Sequence, residues 1–236
     1  MTTRRFRWIT ITAVLVIMTG LSFAISSIIE AQRTSKRLCC HCNLREIVLA
    51  LQAYEAAHGS LPPAYTVDAH GNPLHSWRTL ILPALDHAKV FKKIDFSKPW
   101  NDPANREVYE TELEVFQCPH AKLGKNFTNY QILVGEDACF LPTKGRNMED
   151  IYTGAGSGRT LILIEVGVDK AVHWMDPTDH AVDYLSTPGP LTNSPHGRVI
   201  NAFFADGRGT FLRVNTPVEV RRQLISISSE QKPRDY

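Results

Sequence analysis

The most strongly patterned stretch of the chain is Trp8 to Ile29, WITITAVLVIMTGLSFAISSII, which runs 22 residues without a charge. As a helix it would span roughly 33 Å, enough for the hydrocarbon core of a bilayer. Its weak points, Thr10, Thr12, Thr19, Ser22, Ser26 and Ser27, are small hydroxyls that can hydrogen-bond back to carbonyls of their own helix, so lipid tolerates them. After residue 29 the pattern becomes periodic. Leu44, Ile47, Val48, Leu51 and Tyr54 recur at helical spacing, while Arg45, Glu46, Gln52 and Glu55 fall mostly elsewhere on the wheel. No Gly or Pro interrupts residues 21–58; Gly59 then supplies a stop, and Pro62-Pro63 forbid continuation. The two stretches predict one helix of about 50 residues, membrane-spanning over 8–29 and amphipathic over 30–59.

Beyond a turn at Asn72-Pro73, Ser76 is placed to cap a helix whose apolar face is Trp77, Leu80, Ile81, Leu85 and Phe91, divided or kinked at Pro83. PWNDPANRE leads to a further short helix or turn. From residue 113 short β-branched and aromatic runs take over, ELEVFQCP, NYQILVG, RTLILIEVG and KAVHWMD, each bounded by Gly, Pro, Asn or Asp. TDHAVDYLSTPGPLTNSPHG reads as a long loop, TPVEVRRQLISIS as a terminal helix capped by Thr216 with Pro217 at its first position, and residues 229–236 as a disordered tail. Helices first and strands later indicate an α+β fold, with the long N-terminal helix packed on a mostly antiparallel sheet in a head spanning residues 60–228.

Charge adds topology and removes one class of partner. With 26 basic and 24 acidic residues, a net +2, the chain offers no basic surface suited to nucleic acid. Arg4, Arg5 and Arg7 would hold residues 1–7 in the cytoplasm, although Arg33, Lys36 and Arg37 beyond the apolar stretch weaken the bias. A cleaved signal peptide with Ala24-Ile25-Ser26 at the cut is the rival reading. The apolar run is long for one and continues to Ile29, which favours an uncleaved single-pass anchor in the cytoplasmic membrane. Either way the head lies outside the cytoplasm.

The chemistry-bearing residues mostly invite structural readings. In SPHGRVINAFFADGRGTFLRV, His196 stands ten positions ahead of Asp206-Gly207, and Asp-Gly between two apolar runs is a strong hairpin signal. No Gly-x-Ser-x-Gly, His-Glu-x-x-His or phosphate-cradling loop occurs, and GAGSGR lacks the Lys of a P-loop. Hence no catalytic residues, no cofactor and no enzymatic activity are expected. Five cysteines, Cys39, Cys40, Cys42, Cys118 and Cys139, would meet an environment that permits disulfides. Crowding Cys39-Cys40-His41-Cys42 onto one helix aims the donors apart, which argues against zinc, so no metal site is expected. The run from His173 to Asp183 resembles a solvated acidic loop without the spacing of a calcium cage. Trp77 reads as core with Arg78 covering its edge, or, with Trp174, as part of a binding surface. Glu165 inside LILIEVG should be buried and paired with an arginine such as Arg78 or Arg159.

These blocks together resemble a large bacterial group of pilin-like (pseudopilin-like) proteins of unassigned function, named for a His, nine residues, Asp-Gly motif. CNLREIVLALQAYEAAHGSLPPAY, GNPLHSWRTLILPALD, PWNDPAN, FQCP, TNYQILVG and RTLILIEV stand in the family's order, and the likeness covers almost the whole chain. The resemblance implies a pilin-like fold and a disulfide between Cys42 and Cys118, the cysteines of the C-N-L and C-P blocks. It also implies a leader ending Gly-Phe-Thr-Leu-Ile-Glu. Here Arg5-Phe6-Arg7-Trp8-Ile9-Thr10 stands in its place, so a membrane-fixed relative is expected rather than a polymerising subunit. Expected partners are the membrane and other pilin-like or envelope proteins. The alternative is an extracytoplasmic solute- or glycan-binding module using loops around Trp77 and Trp174, with no small-molecule ligand identified.

Overall fold

The structure is a computed structural model that describes residues 2–228; the tail expected to be disordered lies outside them. Two compact units divide between Leu38 and Cys39. One helix, α1 (Thr2–His58), contributes to both.

In the first unit α1 exposes its large apolar side chains, among them Leu15, Val16, Ile17, Met18, Leu21, Phe23 and Ile28. Its hydroxyls bond inward as the composition predicts: Thr19 donates to the Val16 carbonyl at 2.9 Å, Ser26 to Ser22 at 2.9 Å and Ser27 to Phe23 at 3.0 Å. Among the described residues, α1 is the one helix long and apolar enough to cross a membrane.

In the second unit the same helix is amphipathic. Cys40, Leu44, Ile47, Val48 and Leu51 are buried, the face that the periodicity selects. The helix stops where Gly59 takes φ +76° and its N–H closes on the Glu55 carbonyl at 2.7 Å, a conformation open to Gly because it has no Cβ to clash.

Two short strands, β1 (Tyr65–Val67) and β2 (Pro73–Ser76), pair antiparallel. Ser76 caps α2 (Trp77–Leu80), accepting from Arg78 N–H at 3.3 Å, and Pro83 ends that helix as a 3-10 turn. Helices α3 (Ala88–Phe91) and α4 (Arg106–Tyr109) follow. Strand β3 (Phe127–Thr128) pairs antiparallel with the later β6 (Val172–His173). Strands β4 (Tyr130–Ile132), β5 (Leu161–Glu165), β7 (Val199–Phe204) and β8 (Gly209–Arg213) form one antiparallel sheet in the order β4-β5-β7-β8. The remaining helices are α5 (Met148–Thr153), α6 (Ala181–Ser186) and α7 (Val218–Ile225).

The sheet has a buried core on each face. Side-chain alternation along β7 sends Asn201 and Phe203 to the α1 side, and Ile200, Ala202 and Phe204 to a second cluster with Tyr184, Leu185 and Leu224 of α6 and α7. A register shift between Leu161 and Leu163 resets the alternation of β5, so that Leu163 and Glu165 face α1 while Ile164 joins the second cluster. All five residues of β5 are buried. The α+β architecture with antiparallel sheets is as the sequence predicts.

Three local expectations need correction. ELEVFQCP is no strand: residues 114–116 form a 3-10 turn, with Phe116 N–H bonded to the Leu113 carbonyl at 3.0 Å. Its apolar side chains reach the core without a neighbouring strand. The long loop before residue 197 contains α6, whose Ala181, Tyr184 and Leu185 form a helical contact face hidden among Gly and Pro. Pro217 stands ahead of α7 at ψ 142°, not in its first turn, and no side chain caps that helix.

Candidate functional site

Four chemistry-bearing side chains converge on the α1-facing side of the sheet, and each comes from a different part of the chain. Helix periodicity turns Cys40 inward while Cys39 and Cys42 stay exposed. The turn after the 114–116 segment delivers Cys118. Glu165, the last residue of β5, points to the same side as Asn201 of β7. His196 comes from the turn before β7, where its N–H donates to Ser194 Oγ at 3.2 Å and Ser194 donates in turn to the Val199 carbonyl at 2.6 Å.

The ligand atoms of Cys40, Cys118, Glu165 and His196 all lie within 4.8 Å of one another. The sulfurs of Cys40 and Cys118 are 2.6 Å apart. His196 Nε2 lies 3.1 Å from Glu165 Oε2 and 3.7 Å from Cys118 Sγ. Asn201 donates to Glu165 Oε2 at 2.9 Å, and its own Oδ1 lies 3.3 Å from His41 Nδ1. Cys40 and Glu165 are fully buried and Cys118 is 3% exposed.

The electrostatics follow from burial and pairing. Burial works to raise the Glu165 carboxyl, but the hydrogen bond and positive charge of His196 overcome it and hold the pKa below the usual value. Burial likewise works against the His196 imidazolium, yet hydrogen bonds with Cys40 and Glu165 and the carboxylate charge hold it up at about 9. The pair is therefore an imidazolium facing a carboxylate at neutral pH. As thiols the cysteines are split: their mutual hydrogen bond draws Cys40 down to about 6, while that bond and burial drive Cys118 upward.

Two thiol sulfurs, an imidazole and a carboxylate are a donor set that suits zinc. Helical crowding argues against the Cys39–Cys42 run as a metal site, but it could not reveal this second set, whose members meet through tertiary contacts alone. A tetrahedral ion with zinc–sulfur bonds of about 2.3 Å would hold its two sulfurs roughly 3.7 Å apart. A disulfide holds them about 2.05 Å apart. The 2.6 Å spacing lies nearer the bonded distance.

The sequence-derived site residues are dispersed or reassigned. The structure does not bring together the implied pair Cys42 and Cys118: Cys42 is exposed, and Cys40, two residues earlier on the inward face, meets Cys118. Glu165 pairs with His196 rather than Arg78 or Arg159. Arg78 is instead committed to Asp179, Nη2 to Oδ1 at 2.7 Å, with further bonds to Tyr130 O and Ser76 Oγ at 2.9 Å. Trp77 donates to the same Asp179 at 3.0 Å, and the Arg78 guanidinium lies 4.7 Å from the centre of its ring. Trp174 is 1% exposed and donates to the Thr111 carbonyl at 3.0 Å. Trp77, Arg78 and Trp174 are core, so they form no binding surface. The 173–183 run is not a solvated loop either: His173 stacks on Tyr109 at 4.0 Å and Asp179 is buried against Arg78.

His196 is not part of the hairpin, whereas Asp206-Gly207 is its turn. Asp206 Oδ1 accepts from Arg208 N–H at 2.9 Å, and Gly207 has φ +87°. A Cβ on Gly207 would meet Gln52 Nε2 of α1 at 3.2 Å. Gln52 also donates to the Ala205 carbonyl at 3.5 Å. The motif thus brackets β7, with one end anchored beside Cys40 and the other beside Gln52 of the same helix.

Fold and site together define an α+β protein whose apolar N-terminal helix continues into a head closed over a buried Cys-Cys-His-Glu cluster. Residues 30–185 match the family model described as a protein of unknown function, DUF1559 (SBP_bac_10), well over half of the chain, and the chain belongs to that family. The match ends before His196, so the His-x9-Asp-Gly motif lies beyond it. No curated protein and no solved structure matches the chain.

Proposed function

We propose that this is a membrane-anchored, pilin-like protein that acts through protein–protein contacts in a secretion-type or envelope assembly, not by catalysis. Its single N-terminal span sits in the cytoplasmic membrane, and the head works outside the cytoplasm. The observation that carries this reading is the change of character along α1: large apolar side chains are exposed from Leu15 to Ile29, whereas Leu44, Ile47, Val48 and Leu51 are buried on one face. Apolar exposure on that scale calls for lipid. The buried positions of Trp77 and Trp174 leave the solute-binding alternative without the residues that suggested it. A cluster closed to solvent at Cys40 and Glu165 gives a substrate no approach, which supports a non-catalytic role.

Fractionation, protease digestion of intact spheroplasts and cross-linking in native membranes test the reading. Recovery with membranes, digestion of the head from outside and a ladder of homo- or hetero-oligomers are expected. A head protected in intact spheroplasts, or a chain that stays monomeric under cross-linking, would overturn it.

A further inference from the structure

We infer that Cys40 and Cys118 are joined by a disulfide in the mature protein, clamping α1 to the turn that carries Cys118 and roofing the His196–Glu165 pair. The inference rests on the extracytoplasmic placement of the head, because a dithiol is oxidised there and kept reduced in the cytoplasm.

Geometry selects this pair among the five cysteines. Their sulfurs are 2.6 Å apart, too close for two unbonded atoms and too close for two ligands of one zinc ion. Cys39 and Cys42, one and two positions away on the same helix, are exposed. Glu165 is already paired with His196 at 3.1 Å, and a disulfide adds no charge to that closed site. In forming it, each thiol loses its proton and the pair passes two electrons to an extracytoplasmic disulfide-carrying oxidant, whose own disulfide is reduced to two thiols. The bridge spans 78 positions of chain, so it constrains the unfolded state strongly.

The test uses the full chain, alkylated in intact cells, solubilised in detergent and digested with trypsin without reduction. Peptide 38–45 should appear linked to peptide 107–122, with fragmentation placing the bond on Cys40 and alkylated thiols on the exposed Cys39 and Cys42. A variant carrying Cys39→Ser and Cys42→Ser should keep the link. Reduction should lower the melting temperature of the wild type by roughly 10 °C and leave that of Cys118→Ser unchanged. Alkylated Cys40 and Cys118 in cells, a link through Cys42, or one equivalent of zinc released from the purified protein would each overturn the inference. Spheroplast digestion separates the two readings: free thiols in an accessible head sink the disulfide alone, whereas a protected head sinks the proposed topology.

Discussion

His196 and Glu165 are the residues on which the interior depends most directly. Glu165 is fully buried and its Oε1 has no hydrogen-bond partner, so the bonds to Oε2 must offset the cost of burying the charge. His196→Ala should therefore destabilise the head by on the order of 3 kcal/mol in urea unfolding, more than an exposed histidine would. The pH dependence has a definite sign. The hydrogen bond and carboxylate charge of Glu165 raise the folded His196 above the ordinary 6.5, so its contribution is complete below pH 6.5 and fades as pH rises above it through the raised folded value. The melting temperature of the wild type should fall across that window, and His196→Gln should flatten the fall. At the opposite end of β7, Gly207→Ala should cost about 1–2 kcal/mol, measured by the same unfolding, because its backbone is left-handed and the added methyl meets Gln52.

Among elements, the short α2 matters out of proportion to its four residues. Arg78 binds Asp179, Ser76 and the Tyr130 carbonyl, and so ties α2 to β4 and to the segment before α6. Removing one partner strands a buried charge, so Arg78→Met should cost about 3–5 kcal/mol and broaden the unfolding transition. If that loss stayed below ~1 kcal/mol, the network would be no stronger than a surface ion pair. The clamp between α1 and the Cys118 turn is worth about 4.5 kcal/mol on loop-closure grounds, comparable to the whole Arg78 network.

For the whole molecule, the exposed apolar stretch of α1 is long and apolar enough to cross a membrane, and the proposed anchoring rests on it. Placing a charge in its midst, as in Leu21→Arg, should cost roughly 3 kcal/mol of insertion and move part of the chain from the membrane pellet to the soluble fraction. An unchanged distribution would show that this stretch is not the anchor.

Periodicity and punctuation were enough to read the single apolar span, the inward face Leu44–Leu51, the Gly59 stop, the Ser76 cap, the Asp206-Gly207 turn and the α+β class, because each is a local property of a few consecutive side chains. The cluster was not legible in this way. Cys40, Cys118, Glu165 and His196 are scattered along the chain, and their meeting depends on the β5 register shift, on the turn that aims His196 and on which of three neighbouring cysteines faces the sheet. The same limit hid the Arg78–Asp179 pair: a sequence shows that a buried charge needs a partner, but only the packed chain decides which one stands opposite.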